Sequence, residues 1–478
     1  MPNPTEFAIS FRLAKLTMKD HDIATVTNPP RKKTKVFPLH TTSFEHYMLT
    51  DDRRDYPMSF VVQLELSGAL DRESFEQSVS AAVERHPLLT AIIGPGKGGK
   101  DCWIAASNPQ PHLDFGGIDD PIGFPGGLEY INIRSEVGLR IFVRYDNENA
   151  IVTTQFHHVA CDGIGSYHFL GDLLFEYAKR TCDTDLGEPI DLPPNRLRAR
   201  GKASYDMNQF RLANGKYQRT WDEALTHLVR SNVVLKTGKK LAVRPFPGIQ
   251  SHTFDRSQYK QLRLAAQSNG QIINDMLVEN LFKTLHGWNR ERGSFLKRKH
   301  VSIMMPMNLR EASDNDISAC NIVAHAFIRR SWKQMQDKTT FRQQLASELL
   351  NVKTNRHKVR FMHMMAGGHY FYPRLLKISL DWKRNLATAI LSNTGDPTKQ
   401  FHAELPREAG AIRCGNLLLE DISGVPPLRP GTNATVSIFT YRRNLKICLR
   451  CDPNQFNVDQ TKSLLDMYIE NIVSEIDA

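Results

Sequence analysis

SFVVQLELSG (59–68) alternates apolar and polar positions, as a strand with one buried face does. DRESFEQSVSAAVERHP (71–87) then changes to a helical period. Phe75, Val79, Ala82 and Val83 make its apolar stripe, Asp71 is placed to cap it, and Pro87 stands just beyond its end. LRIFVRYDNENAIVTTQFHH (139–158) predicts two strands joined at DNEN. After CDG, apolar residues recur at helical spacing: Ile164, Tyr167, Leu170, Leu174 and Tyr177. The adjacent pair His157 and His158 therefore falls where a buried strand ends and a helix begins, a junction that commonly carries function on a rigid scaffold.

The same alternation of strand and helix returns later in the chain. SHTFDRSQYKQLRLAAQSNG (251–270) predicts a short strand and a helix capped at Asp255 and closed near Gly270. A helix over 274–289, a strand over 301–309, a strand over 387–395, a hairpin around RRN within 434–452 and a final amphipathic helix from 459 follow. Between 183 and 250 the chain is polar and rich in proline and arginine, with YQRTWDEALTHLVRS predicting a helix inside it. The pattern gives a mixed α/β chain in four parts: an extension over 1–36, a first lobe over 37–182, a connection over 183–250 and a second lobe over 251–478.

Composition narrows the class. With 478 residues, 41% of them apolar, the chain can fill sizeable cores. No apolar run reaches the ~18 residues of a membrane span, and MPNPTEFAISFRLAKLTMKD mixes charges where a signal peptide is apolar, so a soluble, cytoplasmic protein is expected. Seven cysteines scattered along the chain are expected to be reduced thiols. The balance of 62 basic against 51 acidic residues leaves +11. Its clusters RKKTK (31–35), KTGKK (236–240) and KRKH (297–300) lie apart and lack interleaved aromatics, which speaks against nucleic acid.

Consecutive residues of a strand point to opposite faces, so His157 and His158 cannot share one pocket without a bend. A zinc site needs three or four ligands, and only His363 and His369 offer recruits, so no metal is expected. Core packing is the plain alternative for a histidine, but two histidines three residues ahead of Asp162 and Gly163 at a strand-to-helix turn ask for more.

HHVACDG resembles the His-His-x-x-x-Asp-Gly motif of the CoA-dependent acyltransferase superfamily, which includes chloramphenicol acetyltransferase, alcohol acetyltransferases, wax ester synthases, plant BAHD acyltransferases and peptide-synthetase condensation domains. Other stretches are similar in order and spacing: FPLHTTSFEHYMLTDD (37–52), AAVERHPLLTAII (81–93), IINDMLVENLFKTLHGWN (272–289), MPMNLREASDNDISACN (305–321) and LSNTGD (391–396). The BAHD Asp-Phe-Gly-Trp-Gly motif is absent, and Leu88, Leu89 and Thr90 follow RHP where condensation domains usually carry an arginine. These departures favour the alcohol-acetyltransferase and wax-synthase side.

The resemblance implies a two-lobed chloramphenicol acetyltransferase-like fold with mixed sheets and an active-site tunnel between the lobes. It implies acyl transfer from acyl-CoA, a co-substrate rather than a cofactor, to a small-molecule hydroxyl or amine acceptor, with His158 as general base, a task that suits a neutral imidazole. It places Asp162 in an ion pair, for which Arg310 is the candidate, and gives His157 a structural part. Gly163 is expected to let the backbone turn tightly where substrate passes. Ser392 and Asn393 are candidates for the oxyanion, and Cys161 is expected to be a packed residue rather than a nucleophile. Two other readings stay open: a free-standing condensation-type enzyme that takes its acyl group from a carrier protein, and a non-catalytic binding module. No nucleic acid is expected as a partner, and membrane contact only through a lipophilic substrate.

Overall fold

The structure is a computed structural model that describes residues 36–182, 185–202, 232–237, 246–293, 300–354, 360–371, 374, 377–378, 380 and 385–476. The N-terminal extension, the helix expected at YQRTWDEALTHLVRS, and most of the three basic clusters lie outside the described residues.

In the first half the chain forms β1 (Leu39–His40), α1 (Ser43–Asp51), β2 (Ser59–Ser67), α2 (Arg72–Glu84), β3 (Ala91–Pro95), β4 (Asp101–Ala105), β5 (His112–Gly117), β6 (Leu139–Tyr145), β7 (Asn149–His157) and α3 (Gly163–Thr181). The second half adds β8 (Gln250–Phe254), α4 (Arg256–Ser268), α5 (Ile273–Glu291), β9 (His300–Asn308), β10 (Val323–Ser331), α6 (Lys338–Thr354), α7 (Arg360–Phe371), β11 (Ala389–Gly395), β12 (Arg407–Glu408), β13 (Ala411–Cys414), β14 (Leu417–Val425), β15 (Ala434–Tyr441), β16 (Asn444–Cys451) and α8 (Val458–Val473).

Two large mixed sheets organise these elements. One runs β12-β13-β14-β2-β7-β6-β5, antiparallel except where β5 lies parallel to β6. The other runs β10-β9-β11-β15-β16-β8, with β11 parallel to both neighbours. β1, β4 and β3 make a small third sheet. Each large sheet has its own apolar core, one holding Phe75, Trp103, Phe156 and Phe169, the other Phe282, Trp288, Leu464 and Tyr468. The result is two lobes. They do not divide the chain cleanly, because β12, β13 and β14 of the second half complete the first half's sheet against β2.

Local chemistry accounts for the main boundaries. Asp71 caps α2 by accepting from the Ser74 N–H, and Asp255 caps α4 in a capping box with Gln258. The β15–β16 hairpin turns on Arg442 and Arg443, at φ 50° and 66°, so two arginines take the left-handed conformation usually left to Asn and Gly. β7 is central, flanked by β2 and β6, and is buried along nearly its whole length. Its polar residues are accordingly bonded: Thr154 Oγ1 donates to the Val62 carbonyl at 2.8 Å, and Gln155 Nε2 to the Glu129 carbonyl at 2.7 Å.

Candidate active site

β7 ends at His157, and the next residue starts the turn that leads into α3. The His158 N–H still donates to the Met58 carbonyl at 2.7 Å, so the turn is pinned to the strand of β2. The two histidine side chains part here. His157 is fully buried; its Nδ1 accepts from the Val159 N–H at 3.2 Å, and its Nε2 lies 3.3 Å from Asp52 Oδ2. With Nδ1 accepting, Nε2 carries the proton and donates to Asp52. Asp52 also accepts from the Met58 N–H at 2.9 Å and the Tyr130 hydroxyl at 2.8 Å. Burial pushes the Asp52 carboxyl up, but these hydrogen bonds outweigh it and hold the pKa below the ordinary value. His157 is thus tied into a carboxylate-centred network beneath the turn.

His158 is half-buried, its ring 5.1 Å from Phe60 in an edge-on arrangement. Its buried Nδ1 makes no hydrogen bond. Burial lowers its pKa, opposed in smaller measure by its own backbone, the Asp162 carboxylate and Asn321, so the ring is neutral at pH 7. Asn321 Nδ2 donates to the carbonyls of His158 and Val159, both at 2.8 Å, and leaves Asn321 Oδ1 buried and unbonded.

Asp162 caps α3 and does more than cap it. Oδ1 accepts from the Gly165 N–H at 2.8 Å, while Oδ2 accepts from Arg310 Nη1 at 2.9 Å and from the Ile322 N–H at 2.8 Å. Arg310 Nη2 continues to the Cys320 carbonyl at 2.9 Å. The Asp162 and Arg310 side chains are 4% and 8% exposed, so this is a buried ion pair that joins the α3 N-terminus to the segment entering β10. Cys161 is buried, and burial pushes its thiol well up, which removes the thiolate a nucleophile needs.

The φ of Gly163 is not left-handed, and a Cβ there would meet nothing within 4 Å, so the backbone does not require glycine. The tight position is Gly165, where a Cβ would lie 3.0 Å from the Cys161 Cβ and from the backbone N and O of Cys320.

Ser392 and Asn393 lie on β11, in the other sheet. Asn393 is exposed, donates from Nδ2 to Asn274 Oδ1 at 3.0 Å and accepts from the Gly395 N–H at 3.1 Å. Its side chain is committed there. Ser392 is half-buried on the face it shares with Thr394, whose hydroxyl acts on Tyr167 of α3. No hydrogen bond joins Ser392 or Asn393 to His158.

A further histidine, which no local pattern in the sequence marks, stands near this group. His325 of β10 is buried, and burial, then His158 and Arg429, push it down to about 3. Among the described residues no cluster of three His, Cys, Asp or Glu is arranged to hold a metal, Cys102, Cys161, Cys320, Cys414, Cys448 and Cys451 are free thiols, and no helix is long and apolar enough to cross a membrane.

No protein-family profile matches the chain. Two uncharacterised proteins of Mycobacterium tuberculosis, from strains CDC 1551 and H37Rv, are each 25% identical over 278 residues, 57% of this chain and 62% of their own length. The match therefore spans less than two thirds of those relatives. A trichothecene 15-O-acetyltransferase from Fusarium sporotrichioides superposes with a TM-score of 0.66 at 11% identity, covering 91% of this chain and 94% of that one. The first condensation domain of the calcium-dependent antibiotic synthetase gives 0.64 at 12% identity, covering 92% and 97%. Polyketide synthase associated protein 5 from Mycobacterium tuberculosis gives 0.57 at 13%, covering 92% and 98%. At such identities the likeness establishes the fold alone, the two-lobed mixed α/β fold that these structures share.

Proposed function

We propose that the protein is an acyltransferase of this superfamily that moves an acyl group from acyl-CoA to a hydroxyl or amine acceptor, with His158 as general base. One observation carries the reading: within His-His-x-x-x-Asp-Gly, His157 and Asp162 are bound on all sides by protein groups, whereas the His158 ring is half-buried and neutral and no ion pair holds it. Its Nδ1 and Asn321 Oδ1 are both buried without partners, a complementary donor and acceptor. That favours the tautomer with the proton on Nδ1 and a lone pair on Nε2.

In this mechanism the acceptor O–H or N–H gives its proton to Nε2 as the oxygen or nitrogen bonds to the thioester carbonyl carbon. The tetrahedral intermediate then breaks its C–S bond, and the leaving thiolate recovers the proton from the imidazolium. No residue is acylated. The two substrates meet in a tunnel between the lobes, a cytoplasmic setting fits the supply of acyl-CoA, and the net positive charge of +11 suits a phosphate-bearing donor.

A second reading, a condensation-type enzyme taking acyl groups from a carrier protein, draws on the likeness to condensation domains. One experiment addresses both. Initial rates of thiol release are measured with acyl-CoA, a short acyl-pantetheine thioester and an acyl carrier protein at two salt concentrations, for wild type and His158→Ala. Acyl-CoA is expected to be the best donor, with a KM that rises with salt, because exposed charge is screened within about 8 Å at physiological ionic strength. His158→Ala is expected to abolish release at unchanged Tm. Turnover with the carrier protein alone would establish the second reading, and equal rates in wild type and His158→Ala would refute the base.

A further inference from the structure

α1 carries Phe44, Tyr47 and Asp51 at intervals of three and four residues, so they share one helix face. Around that face two polar side chains are buried deeper than their bonding accounts for. Arg429, 6% exposed, binds the Asp51 carboxylate through Nε and Nη2, but its Nη1 is buried and bonds nothing. His325, 8% exposed, is boxed by rings: Phe44 at 5.0 Å, Tyr47 at 6.3 Å and Phe361 of α7 at 5.5 Å between centroids. Its Nδ1 is likewise buried and unbonded. His325 stands on β10 just beyond Asn321, whose Nδ2 bonds the His158 carbonyl, and the charges of both His158 and Arg429 reach it.

Buried donors and acceptors are ordinarily satisfied, and an exception at a reaction centre points to a partner that arrives with the substrate. Nothing in the motif or the ion pairs explains these two. Their chemistry also says what they would take. Arg429 shares the Asp51 carboxylate with Arg53, 3.9 Å away, and the apolar ring box around His325 suits a neutral hydroxyl or carbonyl oxygen better than a fully charged phosphate. The aromatic walls suit an apolar ring body.

Resting on the acyltransferase reading, we propose that Arg429 Nη1 and His325 Nδ1 anchor the acceptor through a second oxygen, a hydroxyl or carbonyl remote from the group that reacts at His158, with Phe44, Tyr47 and Phe361 against its ring body. The acceptor is thus a cyclic alcohol or amine bearing a further oxygen. His325 and Arg429 position it and set specificity.

Binding of 2-(4-hydroxyphenyl)ethanol and 2-phenylethanol, which differ by one oxygen, tests this by calorimetry on wild type, His158→Ala, His325→Phe and His325→Gln. A preference for the hydroxylated alcohol of roughly tenfold or more is expected in wild type and in His158→Ala. It should fall to about one in His325→Phe, which keeps the ring box but loses the polar atom, and survive in part in His325→Gln. His325→Leu replaces the phenylalanine variant if that one does not fold. Equal binding of the two alcohols in wild type, no binding of either, or a preference kept without a polar residue at 325 overturns the anchor. Thiol release by His158→Ala is read separately: if it equals wild type while the binding pattern holds, the acyltransferase reading fails and the anchor stands.

Discussion

At the scale of single residues, Asp162 is where the candidate site and the stability of the protein meet. Its carboxylate accepts from Gly165 in its own turn and from Arg310 and Ile322 in a segment far along the chain. Asp162→Ala leaves the Arg310 guanidinium buried without its counter-charge, a loss expected to cost about 3–5 kcal/mol. Chemical denaturation should show that loss, with activity falling alongside it. Wild-type stability in this variant would mean that the carboxylate does not hold the loop. The sequence made this group readable because the motif puts His157, His158, Asp162 and Gly163 in one short stretch and sets Arg310 within a second recognisable one. Asp52, His325 and Arg429 were not legible in that way. His325 and Arg429 reach the site through folding alone, and Asp52, though in the stretch 37–52, carries no local sign that it will meet His157.

At the scale of elements, the strand-to-helix turn depends on two glycines with opposite demands. Gly165→Ala drives a methyl against the Cys320 backbone, which cannot retreat while Arg310 and Asp162 grip that segment. It is expected to destabilise by about 1–3 kcal/mol, as overpacking does. Gly163→Ala has open space and begins a helix, so its Tm should equal or exceed that of wild type. Thermal unfolding of the pair checks the contrast, and equal destabilisation of both would contradict it. Periodicity read most of this architecture: the β6–β7 hairpin, the helices capped at Asp71 and Asp255, and the last helix fall where the pattern put them. It did not reveal α1, whose Ser43, Glu45 and Asp51 are buried beside its apolar residues. Buried polar groups there answer to Arg200 and Arg429, partners over 150 positions away, which no local window contains.

For the molecule as a whole, burial has left many histidines neutral. His46, His286 and His402 are pushed down to about 4, and His325 to about 3, in each case chiefly by desolvation, against 6.5 when free. Above pH 6.5 both folded and unfolded chains keep these rings neutral. As pH falls from 6.5 toward 4, the unfolded chain takes up protons that the folded one refuses, so stability declines. Calorimetry across that interval should show a Tm that drops steadily, and a flat Tm would argue that these rings are more solvated than their packing indicates. Another property of the whole lies in strand order. Because β14 sits beside β2, the first sheet waits for residues made long after β2 itself. Until then the growing chain carries β2 with one row of backbone amides and carbonyls unpaired, the kind of edge to which other strands adhere. Cutting the gene at the polar connection would therefore not yield two independent halves: the first would emerge from the ribosome with a sticky margin, in need of a chaperone or of its missing piece supplied in trans.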